Sequence, residues 1–215
     1  MVSKLPMVPG VVQRFLRAAR EGETPAQCKG ECHVLDVPGL RLQTPTVRDV
    51  RIMLAAASDP QAQRWFGWTG LNVIPQWDLE HQLARTAGRG RAFPHPIGPE
   101  DWSLVAIDPA TGRVAGATGY DGAAGEVGGW LAPRYRGRGL GSGLFAGAAE
   151  FAHQHLGIPS VTAGTETSNA ACIAALASAG FIPVAGPYPH TLPDGRVVPA
   201  LWFRHESAHP TMCEA

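Results

Sequence analysis

The chain has almost no lysine. Only Lys4 and Lys29 occur in 215 residues, so arginine carries nearly all the positive charge. That removes the phosphate-binding P-loop, which needs a Gly-Lys step followed by Ser or Thr. Neither sign of charge is in excess: Lys+Arg and Asp+Glu both number 18, and the formal net charge is zero. This balance argues against general nucleic-acid or membrane-surface binding and leaves only a local basic patch open. No window approaches the ~18 apolar residues of a transmembrane helix. The N-terminus lacks the basic-then-apolar pattern of a secretory leader. Cysteine is scarce, at Cys28, Cys32, Cys172 and Cys213, and a cytoplasmic, reduced protein is expected. Cys28-Lys-Gly-Glu-Cys32-His33 has the spacing of half a zinc site, but no second ligand pair lies at the usual distance. Two ordinary thiols near a turn, and no metal, are expected.

Hydrophobic residues make up 45% of the chain, enough for a sizeable core. The 26 glycines and 19 prolines are spread along it, which predicts many turns and no disordered tract. The length fits one domain with elaborations, or one domain and an extension. The stretch from Gly125 to Leu156 organises the rest. Glu126 to Leu131 is an apolar run long enough for a strand. Arg136 to Gly143 has glycine at every second position from Gly137. From Leu140 the stripe Leu140, Leu144, Ala148, Phe151 and His155, with Phe145, Ala149, Ala152 and Leu156 beside it, predicts a buried helix. The order is strand, glycine-rich turn, helix.

Such a turn suits an anion. The first backbone N–H groups of a helix have no partner within it, and they carry the positive end of the helix dipole. Glycines let a bulky anion come close. Arg136 and Arg138 add forked donors matched to phosphate oxygens. The dinucleotide fingerprint fails, because it needs glycine where Ser142 or Leu144 stands. The run R-x-x-G-x-G, at Arg136, Gly139 and Gly141, does match a pattern. It resembles the acetyl-CoA pyrophosphate signature of the GNAT superfamily of N-acetyltransferases. The alternative is a glycine-rich surface turn that binds nothing.

Before this stretch, Val11 to Glu21 could form an amphipathic helix, and His33 to Val37 a short strand. Leu40-Arg-Leu-Gln-Thr44 alternates as a strand does. Thr46 can cap a helix from Val47 to about Ala57, with Asp49 in its first turn. Asp59-Pro60 starts a second short helix toward Trp65–Trp68. This opening resembles the RimJ/RimL branch of the family, which acetylates the N-terminal alanine of ribosomal proteins. Trp77 to Thr86 reads as a helix, and Gly88 to Glu100, with Arg89, Arg91 and His95, as a loop. Ser103–Ile107 and Arg113–Gly119 form a hairpin over Asp108–Gly112. A tight turn at Asp121-Gly122 leads to the Glu126 strand.

After the long helix, Ile158–Gly164 is a strand. Ser168 or Asn169 caps a helix that Gly180 ends. The pattern N-x-x-[small]-I-x-x-L-x-x-x-G-F, from Asn169 through Cys172, Ile173 and Leu176 to Phe181, is similar to a second GNAT segment, in the family's order and separation. Phe181–Ala185 and Val197–Arg204 finish as strands, joined by a loop from Tyr188 to Gly195. The resemblance covers about Leu40 to Arg204. It divides the chain into an extension (1–38), an acetyltransferase domain (39–205) and a tail (206–215).

The resemblance implies an α/β fold with a mixed, mostly antiparallel sheet flanked by helices and splayed central strands. Acetyl-CoA is then the co-substrate. Its contacts carry over to Trp130, Leu131 and Ala132 near the turn, to Arg136, Gly137, Arg138, Gly139, Leu140, Gly141 and Ser142 in the turn, and to Asn169 and Cys172 facing the pantetheine. The acceptor is a primary amine, a protein N-terminus first and a small amine such as an aminoglycoside second. A GNAT-like domain that binds acyl-CoA without turnover is the third reading. Neither membrane nor nucleic acid is expected as a partner, and a homodimer stays open. Acetyl transfer requires that the amine lose a proton and that the leaving thiolate be stabilised. Glu126, at the start of the splayed strand, and Glu166, after its neighbour, are the two candidate bases. Leu176 stands where many relatives place an acidic Tyr. Tyr120 and, more weakly, Cys172 remain to face the departing sulfur.

Overall fold

The computed structural model describes residues 26–29, 32–46, 49, 59–68 and 101–207. The helices expected over Val11–Glu21 and Trp77–Thr86, most of the one from Val47 to Ala57, and the Gly88–Glu100 loop lie outside these residues. Nine described strands form one sheet: β1 (Ala26–Lys29), β2 (Cys32–Val37), β3 (Leu40–Gln43), β4 (Asp101–Asp108), β5 (Arg113–Asp121), β6 (Glu126–Leu131), β7 (Ser160–Glu166), β8 (Ile182–Thr191) and β9 (Val197–Glu206). Their order is β1-β2-β3-β4-β5-β6-β7-β9-β8. Neighbours are antiparallel except β6 and β7, which are parallel. The mixed, mostly antiparallel sheet is the one expected.

Local chemistry sets the turns. Asp108 closes the β4–β5 hairpin by accepting from the Ala110 N–H (2.9 Å) and the Thr111 hydroxyl (2.8 Å). Asp121 does the same after β5, accepting from the N–H groups of Ala123 and Ala124. Thr46 and Asp49 cap each other: the Thr46 N–H donates to Asp49 Oδ2 (2.8 Å) and the Asp49 N–H to Thr46 Oγ1 (3.2 Å). Asp59 caps helix α1 (Pro60–Phe66) through the Ala62 N–H at 2.9 Å, with Pro60 at its first position, as expected.

Helix α2 (Leu140–Leu156) lies across one face of the sheet. Its stripe of Leu144, Phe145, Ala148, Ala149, Phe151 and Ala152 is buried with Leu35, Leu42, Trp102 and Val127. Burying each large apolar side chain contributes roughly 1.5–3 kcal/mol. Helix α3 (Ala170–Ser178) joins this face through Leu176. The other face carries α1, with Ala62 and Trp68 packed on Val105, Val114, Ala117 and Trp130.

Three expectations change. The boundary at 38/39 runs through a hairpin, because β2 pairs with β3 and Leu35 is in the core. β7 starts at Ser160 because Ile158 serves the end of α2, its N–H donating to the Ala152 carbonyl (3.1 Å). Tyr188–Thr191, expected in a loop, extend β8. β8 accommodates Pro183, Pro187 and Pro189 because, among the described residues, it is an edge strand, where a missing N–H can face solvent.

Histidines fill part of the core. His33 is buried edge-on against Phe151 and His155, with ring centroids 5.6 and 5.7 Å away. Burial, and then the neighbouring His155, push its pKa down from 6.5 to about 3. Burial also lowers His155 and, together with His153, His205. A His whose folded pKa is depressed is neutral in the native state, and the unfolded chain binds the extra proton. Stability is then complete above the unfolded pKa and falls as pH drops below it. For His33 this window runs from 6.5 down to about 3. By pH 5 it alone costs ~2 kcal/mol. Urea titrations from pH 7.5 to 4.5 should show this decline. His33→Gln should flatten it by about one proton's worth of slope, whatever its effect at pH 7.5. An unchanged slope would show that His33 is charged in the folded protein.

Candidate active site

β6 and β7 share a single residue pair, Glu126 with Thr162. The Thr162 N–H donates to the Gly125 carbonyl at 3.0 Å. Beyond that vertex the strands diverge, and a cleft of about 490 Å³ opens between them. Alternation along β6 decides which backbone groups look into it. The Gly125 carbonyl faces β7, while the Ala132 N–H donates to the Ala115 carbonyl of β5 (2.8 Å). With no register shift between β5 and β6, the N–H groups of Val127, Gly129 and Leu131 point away from β5; that of Val127 completes the parallel pair with Thr162 at the vertex, and those of Gly129 and Leu131 turn to the gap. Those of Trp130 and Ala132 turn to β5. Ala132 is absent from the cleft lining, and Trp130 and Leu131 are present. Of the expected contacts on this strand, Leu131 offers backbone, Trp130 only its side chain, and Ala132 nothing.

The glycine-rich turn closes one end. Gly137, Gly139, Leu140, Gly141 and Ser142 line the cleft. Gly139 caps α2 at φ 75°, a left-handed conformation that favours glycine, and a Cβ there would meet nothing within 4 Å. The space beside the helix N-terminus is open to a large anion.

The two arginines of the turn do something else. Arg136 donates from Nε to the Leu131 carbonyl (2.8 Å), from one terminal nitrogen to Gln61 Oε1 (2.7 Å) and from the other to Asp59 Oδ2 (2.5 Å). This fork holds the end of β6 to the cap of α1, and its hydrogen bond draws the Asp59 carboxyl below its ordinary range. The Arg138 guanidinium lies over the Tyr135 ring at 5.5 Å, and Arg138 does not line the cleft. Arg136 is engaged by these internal contacts, Arg138 is exposed beside Tyr135, and of the two only Arg136 borders the cleft.

Strand parity sorts the rest. Val127, Val161 and Ala163 pack toward α2, so Glu126, Gly164 and Glu166 face α1. Both candidate carboxylates line the cleft on this side. Glu126 Oε1 accepts from Trp202 Nε1 at 3.0 Å. Glu166 Oε1 accepts from Arg64 (3.3 Å) and from the Ser168 hydroxyl. Glu166 Oε2 is buried and has no hydrogen-bond partner among the described residues. Asn169 borders the cleft and caps α3, its Oδ1 accepting from the Cys172 N–H (3.2 Å). Cys172 also lines the cleft; burial raises its pKa, against a weaker opposing hydrogen bond with Thr165, so it stays a thiol. Tyr120 is not a cleft residue. It lies in the core, stacked with Trp102 at 6.1 Å.

Residues the sequence did not single out complete the walls: Trp65 and Phe66 of α1, His190 of β8 and Trp202 of β9. The β8–β9 hairpin tip reaches α1, where Arg196 donates to the Arg64 carbonyl (2.6 Å). No spacing in the sequence links these segments. Cys28 and Cys32 fall on β1 and β2, where Cys28 pairs with His33 and Lys29 with Cys32. Among the described residues no group of three or more His, Cys, Asp or Glu could hold a metal ion.

Residues 39–182 match the family profile described as the acetyltransferase (GNAT) domain. No curated protein matches. Among solved structures, the chain is similar to a spermidine N-acetyltransferase from Vibrio cholerae in complex with CoA and spermine (TM-score 0.62, 13% identity, 79% of this chain and 96% of that one). It is also similar to a ribosomal-protein-S5-alanine acetyltransferase from Vibrio fischeri (0.58, 14%, 81% and 97%). A third is the microcin self-immunity acetyltransferase MccE with acetyl-CoA and AMP (0.56, 12%, 79% and 93%). At these identities the likeness is one of fold.

The Arg136 fork has a measurable consequence. Arg136→Ala strips three hydrogen bonds from a partly buried guanidinium and should lower unfolding free energy by about 2 kcal/mol. Arg136→Lys should recover little, because an ammonium cannot span all three acceptors. A urea midpoint unchanged in Arg136→Ala would mean that the side chain is not a strut.

Proposed function

The chain belongs to the acetyltransferase (GNAT) domain family, and from that premise we propose that it moves acetyl directly from acetyl-CoA to a primary amine. The first acceptor is a protein N-terminus, as in the RimJ/RimL branch. The observation that carries this reading is the parting of β6 from β7 after one residue pair, with an anion site at one end and a carboxylate at the vertex. The residues fit acetyl-CoA. The backbone of Arg136–Ser142 takes the pyrophosphate, beside Gly139, where a Cβ would meet open space. The N–H groups of Gly129 and Leu131 take the pantetheine and the thioester oxygen. Asn169 and Cys172 border its path.

Acetyl-CoA supplies a thioester whose carbonyl carbon accepts the amine and whose sulfur can leave. The new C–N bond forms as the C–S bond breaks, and the ammonium proton must go elsewhere. Glu126 takes it as general base. Glu166, with one carboxylate oxygen anchored and the other unpartnered, holds the acceptor's positive charge. Cys172, kept protonated by burial, can donate to the departing sulfur. Leu176 and Tyr120 sit in the core and take no part.

A panel with acetyl-CoA tests the acceptor: an alanine-initiated peptide, its Nα-blocked form, spermidine and an aminoglycoside. Acetylation of the free peptide alone supports the N-terminus. Turnover only with a small amine replaces that acceptor. CoA binding without turnover on any amine would leave a binding domain and no enzyme.

Ser142→Glu tests the anion site without unfolding it. A carboxylate in the first turn of α2 favours the helix dipole but opposes a pyrophosphate there. The dissociation constant for CoA should rise at least about tenfold, one 1.4 kcal/mol step, with the melting temperature kept. Unchanged CoA affinity would remove the turn from the binding site.

The base is tested by Glu126→Gln. It should lower kcat by ~10²-fold or more at pH 7 while acetyl-CoA affinity holds. The deficit should shrink toward pH 9, where more acceptor is already neutral. If Glu166→Gln shows this behaviour and Glu126→Gln does not, the roles are exchanged.

A further inference from the structure

Trp202 lies where strand pairing alone would not put it to use. It pairs with Gly164 across β9 and β7, yet its indole N–H is bonded to Glu126 on β6, one strand further on (3.0 Å). The ring crosses β7 to get there. It can do so because residue 164 has no side chain: a Cβ on Gly164 would come within 3.3 Å of Trp202 Nε1 and 3.5 Å of Cε2. His190 buttresses the ring edge-on, with centroids 5.5 Å apart. Glu126 is the residue of β6 that pairs with β7 at the vertex, so the indole spans the point from which the cleft opens.

We propose that Trp202 is a positioning residue that fixes the Glu126 carboxylate for proton transfer, and that Gly164 is the opening it needs. The proposal rests on Glu126 being the base. An indole only donates. It occupies one carboxylate oxygen and cannot itself take the acceptor's proton. The second oxygen is left for the amine. The other titratable groups along the cleft are Glu166 on β7, His190 on β8, Cys172 on α3 and Arg136 beside the turn. None of them makes this contact with Glu126 among the recorded hydrogen bonds.

The test is a double-mutant cycle in the full chain, with acetyl-CoA and whichever of the alanine-initiated peptide, spermidine or aminoglycoside turns over fastest. Trp202→Phe keeps the ring and removes the donor. It should lower kcat roughly tenfold, the scale of one hydrogen bond to a charged group. It should leave acetyl-CoA affinity within about twofold, a change under 0.5 kcal/mol. Gly164→Ala, with Trp202 intact, should lower kcat in the same direction but by less, because a Cβ 3.3 Å from the indole nitrogen displaces the ring by only a few tenths of an ångström. In a Glu126→Gln background neither change should lower kcat further. An equal loss in that background would show that the indole acts independently of Glu126 and overturn the proposal. So would full kcat in Trp202→Phe when Glu126→Gln is impaired. Full activity in Glu126→Gln itself would remove the base, and this proposal with it.

Discussion

The structure depends on hydrogen bonds that are not made. Two parallel strands in mid-sheet ordinarily satisfy each other along their whole length. Here β6 and β7 meet at Glu126 and Thr162 and then part. Each buried backbone group left without a partner costs about 1–3 kcal/mol, so the gap must be held open by its surroundings. α2 and α3 brace one face, α1 and the β8–β9 hairpin the other. Arg136 satisfies the Leu131 carbonyl on the gap side. The groups that remain unpaired are the ones a ligand with its own amides can complete.

The division of labour within the turn follows from this. Backbone lines the cleft, and the guanidinium of Arg136 turns back to tie β6 to Asp59 and Gln61. A charge that sequence logic assigns to the ligand is spent on keeping the slot in shape. Arg138 lies outside, over Tyr135.

Much of this was legible in the chain. The bounds of β6 and α2, the caps at Thr46, Asp59 and Asn169, and the hairpin at Asp108 follow from punctuation by Gly, Pro, Asp and Asn, which acts over a few residues. Distant partners were not legible. Nothing near Arg136 points to Asp59, and nothing near Trp202 points to Glu126. Tyr120 looked available and is core, because strand parity sends it toward Trp102. The phase of N–H groups along β6, which separates Leu131 from Ala132, depends on which neighbour each one meets. The strand at His33–Val37 was expected, but the line drawn at 38/39 parted it from β3, since a local pattern shows a strand and not the partner it pairs with.

The three prolines of β8 bear on how the molecule keeps to itself. Ile182, Val184, Tyr188 and Val197 are exposed at this margin of the sheet, a composition that invites edge-to-edge growth. Pro183, Pro187 and Pro189 remove three of the ten backbone donors of the strand. A neighbouring chain laid against β8 finds an interrupted ladder, so the apolar margin cannot serve as a template for cross-β stacking. Among the described residues, the sheet ends at this interrupted strand.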